Sequence, residues 1–214
     1  QIEDMGHEAF LIDIGVVGKP GIEADFTREA VIGTGGGDLQ ELLQHPTREA
    51  ANPFVKEGCV KILTTKIAKG EVHAVLGLGG TQGTSTCCDI MQFLPYGLPK
   101  VMVSTMASGD TSEFVGIKDI TMMFSVSDIL KLNPFTRKIL ANAAAAACGM
   151  AQVETKFQVD KSDKPVIGMS NLGVLTNGSM EAIKYIESKG YEVIVFHAVG
   201  SGGRAMEQMM KEGI

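Results

Sequence analysis

The residues most able to do chemistry here sit in loops dense in glycine and hydroxyl side chains. The first is VLGLGGTQGTST, Val75 to Thr86, between an apolar strand pattern and a helical one. The first backbone N–H groups of a helix have no partner inside it and lie at the positive end of its dipole. Glycines without Cβ let an anion approach them, so Gly79, Gly80 and Gly83 suit a phosphate cradle. The hydroxyls of Thr81, Thr84 and Ser85 add donors. The same glycines would also serve a tight turn that packs a helix closely on a strand, and both readings stand at this point. A Walker A loop is absent, because no G-K-[ST] occurs and the loop holds no lysine. Gly77-x-Gly79-x-x-x-Gly83 is close to the dinucleotide fingerprint. That site also wants an acid at the end of the next strand, and Val103-Ser104-Thr105 offers none. NAD therefore loses ground to a mononucleotide.

The second loop is VSTMASGDTSEFVG, Val103 to Gly116. Ser104, Thr105, Ser108 and Thr111 supply hydroxyls, Gly109 supplies flexibility and Asp110 a carboxylate. It reads as a facing wall with Asp110 on Mg²⁺ through water, or as a solvated turn that Asp110 caps. A third loop is Asn171 to Thr176. The fourth follows His197 and holds Gly200, Gly202 and Gly203. His197 suits ligand contact or acid–base work, or a plain hydrogen-bonded histidine. Arg204 suits a phosphate or carboxylate, or solvent. Gly77-Leu78-Gly79-Gly80 matches Gly200-Ser201-Gly202-Gly203, a weak internal repeat that suggests two related halves. No G-x-S-x-G and no H-E-x-x-H occurs, and His7, His45 and His73 are assigned no role. Cys59, Cys87, Cys88 and Cys148 match no zinc spacing and read as reduced, buried thiols. No metal site is expected, and the methionines read mostly as core filler.

These loops need elements to hold them. Ala9–Gly18 is a nearly continuous apolar run and predicts a buried strand, preceded by a helix end at Gln1–Glu8. Ile32–Leu39 reads as a glycine-rich loop. Asn52 as cap and Pro53 at the first helical position predict a helix running to Gly70. A strand over Val72–Gly79, a helix over Ser85–Leu94, and strands over Lys100–Thr105 and Asp119–Val126 follow. Asn133 and Pro134 repeat the cap chemistry before an alanine-rich helix. Beyond a connector at Asp160–Pro165 come a strand from Pro165, a helix to Gly190, a strand to His197 and a last helix. The alternation predicts an α/β protein, a Rossmann-like parallel sheet with helices on both faces, over 1–159. The start of a second similar domain is predicted over 160–214. In such sheets ligands sit beyond the carboxyl ends of the strands, where all these loops fall.

With 214 residues, 44% hydrophobic and 21% charged, the chain can build a real core. A net charge of −6 without a dense Lys/Arg stretch argues against nucleic acid. No apolar run is long enough for a bilayer, and no signal peptide opens the chain. The expectation is a cytoplasmic protein, truncated at both ends, that forms a homo-oligomer, a homodimer by default.

GLGGTQGT, LPKVMVSTMASGDTSEFVG, ILANAAAAACGM and VFHAVGSGGRAME, in that order, resemble the ATP-binding domain family typified by the plant tomato mosaic virus resistance protein. The resemblance implies two consecutive Rossmann-like domains, sometimes with a TIM-barrel-like domain after them. It implies ATP binding and, in the plant member, inhibition of viral replication proteins by direct binding. The family's opening strand and GT-x-D-T-K-like loop are not in this chain, and Pro53 falls where an uninterrupted helix is expected. By motif position, Gly79, Gly80, Thr81, Gly83 and Thr84 become nucleotide-loop residues. Ser104, Thr105, Ser108, Gly109 and Asp110 become the facing wall, and Gly200, Gly202 and Gly203 the contribution of the second half. The leading expectation is an ATP-like nucleotide, with Mg²⁺, bound in a regulatory or unassigned metabolic role. The first rival is an enzyme acting on a small phosphorylated or carboxylated metabolite between the halves, with Asp110 and His197 as acid–base residues. The second is a protein-interaction module without ligand.

Overall fold

The computed structural model describes residues 1–153 and 164–214. They fall into two compact units, one within 1–115 and 119–153, the other within 116–118 and 164–214. Most of the expected connector, Asp160 to Asp163, lies outside the described residues.

In the first unit, Glu3–Met5 forms a single 3-10 turn ended by Gly6 at φ 81. The apolar run Ala9–Gly18 is not the expected strand. It is extended but joins the chain only by one parallel bridge, Ile12 to Phe26. Its polar groups find other partners: Leu11 N–H donates to Asp25 Oδ2 at 2.7 Å and Gly15 N–H to Asp13 Oδ1 at 2.8 Å. Ile12, Ile14 and Val16 still pack on the core. Arg28, only 8% exposed, ties the segment down through Asp13 Oδ2 at 3.2 Å and the carbonyls of Val16 and Gly18.

Helix α1, Arg28–Thr34, is capped by Thr27, and α2, Leu39–Leu42, by Asp38. The expected loop at Ile32–Leu39 therefore shrinks to a glycine turn between two helices. Helix α3, Arg48–Ala68, starts at a Thr47 cap and carries Pro53 inside it, so Asn52 is not the cap. Helices α1 and α3 cross closely because Gly35 and Gly58 lack side chains. A Cβ at Gly58 would collide with the Val31 carbonyl, and one at Gly35 with that of Phe54.

Three parallel strands follow in the order β1 (Val75–Gly79), β2 (Lys100–Ser104) and β3 (Ile120–Phe124). Helix α4 (Thr81–Met91) joins the first two, and the short α5 (Ser112–Val115) lies between the second and third. Strand β2 is buried along its whole length. Its first residue, Lys100, is 0% exposed and is held by the Pro95 and Leu98 carbonyls at 2.7 Å and Asp119 at 2.9 Å. Helix α6, Pro134–Ala151, begins as expected, with an Asn133–Thr136 capping box and Pro134 in the first turn. Its small buried face of Ala143, Ala144 and Ala147 packs against β1 and β2.

The second unit pairs β4 (Val166–Asn171) with β5 (Glu192–His197) in parallel. Helices α7 (Thr176–Ser188) and α8 (Ser201–Glu212) flank them and contain no buried residue. Both units are α/β with parallel strands and flanking helices, a Rossmann-like architecture.

Candidate functional site

The carboxyl edge of the first sheet is set by register: Gly79 pairs with Ser104, and Ser104 with Phe124. Both glycine-rich loops of the first unit leave from this edge. Helix α4 starts at Thr81, four residues before the expected Ser85, so Thr81, Gly83 and Thr84 lie in its first turn. Thr84 N–H closes that turn on the Gly80 carbonyl at 2.8 Å. No side chain caps Gly80, so the first N–H groups of α4 are not satisfied by a local cap.

The glycines divide by what a side chain would meet. A Cβ at Gly77 would lie 2.8 Å from Met102 Sδ and 3.0 Å from Cys87 Cβ. At Gly79 it would lie 2.7 Å from Gly83 Cα and 2.9 Å from the Thr84 nitrogen. These two glycines are required for α4 to sit down on β1. Gly80 and Gly83 are different. Their nearest neighbours would be Thr105 Oγ1 at 3.7 Å and the Leu78 carbonyl at 3.4 Å, both ordinary contacts. Neither has a positive φ.

The hydroxyls divide too. Thr84 and Ser104 are 0% exposed and their oxygens lie 2.6 Å apart. Ser104 Oγ also accepts from Met106 N–H at 2.9 Å, and Thr84 Oγ1 donates weakly to the Gly79 carbonyl at 3.4 Å. The pair locks the strand ends, the helix start and the following loop together. Thr81 Oγ1 lies outside that pair and donates to Met106 Sδ at 3.3 Å, while Thr105 N–H donates to the Gly79 carbonyl. Ser108, Gly109 and Asp110 are exposed in the loop. Asp110 Oδ1 accepts from Ser112 N–H at 2.9 Å, and that bond holds the carboxyl below its usual range. Asp110 thus carries a fixed charge at the start of α5, a poor arrangement for shuttling protons.

Sequence reasoning missed the segment after β3. Ser125 N–H donates to the Ser104 carbonyl at 3.0 Å, so Ser125 continues the same edge. Ser127 N–H returns to the Ser125 carbonyl at 2.7 Å across Val126, whose φ is 63. This is a γ-turn in its strained left-handed form. Turn signals look for Gly, Asn or Asp, and a valine gives none.

In the second unit Asn171 pairs with His197 at the carboxyl edge. Ser179 Oγ donates to Asn171 Oδ1 at 2.8 Å. His197 is exposed, and its carbonyl faces Gly202 so closely that a Cβ there would collide. Gly200, at φ 83 and ψ −58, centres a γ-turn closed by Ser201 N–H on Val199 at 3.0 Å. Gly203 would meet nothing within 4 Å, and exposed Arg204 closes the first turn on Gly200. The internal repeat therefore aligns three residues further along than the motif suggested. Gly80-Thr81-Gln82-Gly83 and Gly200-Ser201-Gly202-Gly203 both run from the cap through the first turn of a helix.

Two hollows lie away from these edges. One of about 350 Å³ is bounded by Asp13, Lys19, Thr27 and Arg28. The other, of about 440 Å³, is bounded by Glu49, Pro53, Lys56 and Asp89. Among the described residues, no group of three or more His, Cys, Asp or Glu is placed to hold a metal, and no helix is long and apolar enough to cross a membrane. Cys59, Cys87 and Cys88 are no candidate nucleophiles: burial pushes Cys59 and Cys88 up to about 12 and Cys87 to about 11.

Parallel strands flanked by helices, with a glycine-lined helix start at the carboxyl edge, define a Rossmann-like α/β protein. The chain belongs to the uncharacterised protein family UPF0261, whose N-terminal domain profile matches residues 1–156 and whose C-terminal domain profile matches 164–214. It is 42% identical over 212 residues to a UPF0261 protein of Clostridium tetani, covering 99% of this chain and 52% of that one. It is 37% identical over 213 residues to one of Rhizobium meliloti, covering 100% and 52%. The ToMV susceptible protein tm-1(GCR26) of Solanum lycopersicum is 38% identical over 160 residues, covering 72% of this chain and 21% of that protein. The plant likeness read from the motifs is thus matched by a tomato protein among the chain's relatives. The chain spans about half the length of the bacterial relatives it matches.

Proposed function

We propose that the first unit binds ATP or a related nucleotide by its phosphates at the start of α4, in a regulatory or unassigned metabolic role. One observation carries this reading: Gly80 and Gly83 flank an uncapped helix start, yet neither packing nor backbone conformation requires them to be glycine. Gly80 sits at the cap, where glycine is well tolerated, but Gly83 lies inside the first turn, where it costs up to about 1 kcal/mol against alanine. An approaching anion accounts for that cost, because bare backbone N–H groups are what phosphate oxygens seek. Thr81 and Thr105 stand beside the opening, and Thr84 and Ser104 position it from below. Asp110, kept ionised at the exposed loop, suits the hydration shell of a Mg²⁺ that arrives with the nucleotide. The motif resemblance favours ATP over a plain anion. Four thiols with no disulfide among them fit a cytoplasmic setting.

Calorimetry with ATP–Mg²⁺ tests this. Wild type should bind, and at a hundred-fold excess over Kd should gain about 2.7 kcal/mol of stability. Gly83→Ala should melt no lower than wild type but lose at least about ten-fold in affinity. Gly203→Ala, at the matching position of the second unit, should change affinity less than about two-fold. No heat from the wild-type chain sinks the reading.

A further inference from the structure

The geometry points to Ser127 as the group that recognises the sugar hydroxyls of a phosphorylated ligand, a role resting on the phosphate site at α4. Ser127 Oγ is a buried side-chain oxygen with no hydrogen-bond partner, the one such atom among the described residues. A buried hydroxyl without a partner costs about 1–3 kcal/mol, and each such case asks for an explanation. The backbone that presents it is also costly. A β-branched residue in the left-handed region is a genuine outlier, and Val126 occupies that region at φ 63 while 61% exposed. An exposed valine has no packing reason to be there. Ser125 keeps the turn in place from both sides, by its N–H on Ser104 and by Oγ on the Ser127 carbonyl at 2.7 Å. Two independent costs therefore fall on three adjacent residues at the ligand edge of the sheet.

Position decides the class of ligand. Ser104 links both sides of the edge: its hydroxyl contacts Thr84 of α4, and its carbonyl receives Ser125. The phosphate site follows β1 and Ser127 follows β3, two strand spacings or roughly 10 Å apart. That is about the reach from the phosphates of a nucleotide to the far hydroxyls of its ribose. Ser127 as a residue keeps some exposed surface, and a change of χ1 rotamer is the movement that would bring Oγ to a ligand. A serine hydroxyl donates and accepts, which matches a ribose diol. The pairing would also relieve the unpartnered oxygen.

The test compares wild type with Ser127→Ala in calorimetry, using ATP, 2′,3′-dideoxy-ATP and inorganic triphosphate, each with Mg²⁺. Ser127→Ala should bind ATP about ten-fold more weakly, the worth of one hydrogen bond. It should bind triphosphate and the dideoxy nucleotide as wild type does. It should also melt no lower than wild type, since an unpartnered oxygen is removed. Equal ATP affinity in the two proteins overturns the assignment and leaves the phosphate site standing, with Ser127 satisfied by water. Equal losses for ATP and triphosphate also overturn it, as a general disturbance of the edge. A wild type that binds neither ATP nor triphosphate overturns the phosphate site and this assignment with it.

Discussion

The two units solve the same problem, a helix that starts at the carboxyl end of a parallel strand, with the obligatory glycine in different places. In the first unit it is on the strand: Gly79 lets the first turn of α4 lie against β1. In the second it is on the helix: Gly202 meets the carbonyl of His197. The connections differ accordingly. Helix α4 starts two residues after β1 ends, whereas α8 waits for Ala198, Val199 and the γ-turn at Gly200. Yet both helices carry a third-position glycine, Gly83 and Gly203, that packing does not demand. Closeness of helix to strand thus rests on one glycine in each unit, while the third-position glycine is left in open surroundings. In the first unit the arrangement rests on a core of Val31, Ile32, Val55 and Leu94 and on the buried Thr84–Ser104 pair. In the second unit neither helix has a buried residue, and the edge is tied by the Asn171–Ser179 bond instead.

The largest effect should come from Gly79→Ala. Its methyl would face backbone at 2.7–2.9 Å, and backbone cannot swing aside as a flexible side chain can. A cost of about 3 kcal/mol is expected, or roughly 6–12 °C in melting temperature. Hydrogen exchange should quicken in β1, α4 and β2. Gly202→Ala should instead quicken exchange in β5 and α8. If Gly79→Ala melts like wild type, the division between packing glycines and open glycines is wrong.

How far these features were legible depends on whether their cause is local. Asn133-Pro134 announces α6 because a cap and its helix start are a few residues of one chain. Asn52-Pro53 offers the same letters, but there the helix is capped by Thr47 and passes through the proline. Tertiary packing of Ala51, 0% exposed, and Val55, 1% exposed, outweighs the hydrogen bond that Pro53 removes. The proline borders the open hollow by Glu49, where the freed Glu49 carbonyl can reach water. The run Ala9–Gly18 was readable as apolar and extended, but not as unpaired, because pairing depends on a partner strand. The glycines and hydroxyls of the site were legible by type. Which of them face inward was not: Thr84 and Ser104 looked like ligand donors and are spent on each other. Val126 reads as the end of the strand Asp119–Val126, but β3 stops at Phe124 and Val126 turns at φ 63; Ser127 gave no sequence signal.

A second contrast is chemical. All the cysteines precede residue 149, so every thiol belongs to the first unit. Burial raises Cys59 and Cys88 to about 12 and Cys87 to about 11 from an ordinary value of 9.0. The folded unit therefore keeps thiol protons that the unfolded chain releases. Their contribution is fully present below about pH 9 and is lost as pH rises through 11 to 12. Urea unfolding followed by thiol labelling should show a midpoint that falls steadily from pH ~9 to ~10.5. Exchange rates in β5 and α8 should show no thiol-linked change over the same window. Labelling of the native protein at pH ~8 as fast as of the unfolded chain would show that these thiols are not enclosed.

The smallest effect comes from exchanging the two γ-turn centres, and it separates strain from use. Gly200 reaches φ 83 without cost, since glycine enters the left-handed region freely. Val126 at φ 63 gives up about 1–3 kcal/mol for the same kind of turn. Val126→Gly should recover that strain but lose up to about 1 kcal/mol to the greater freedom of the unfolded glycine. A net gain of about 1 kcal/mol is expected, a rise of roughly 2–4 °C read in the melting of the first unit. Gly200→Val runs the other way, importing the strain at the start of α8. Exchange in α8 should quicken about five-fold or more, the lower end of that cost. Were both turns ordinary connections, the first unit would have no reason to keep a valine there. A Val126→Gly protein that melts higher yet still binds ATP as wild type does would mean that the turn needs its shape but not its stiffness. One that melts higher and binds ATP less well would mean that the valine's strain holds Ser127 ready for its ligand.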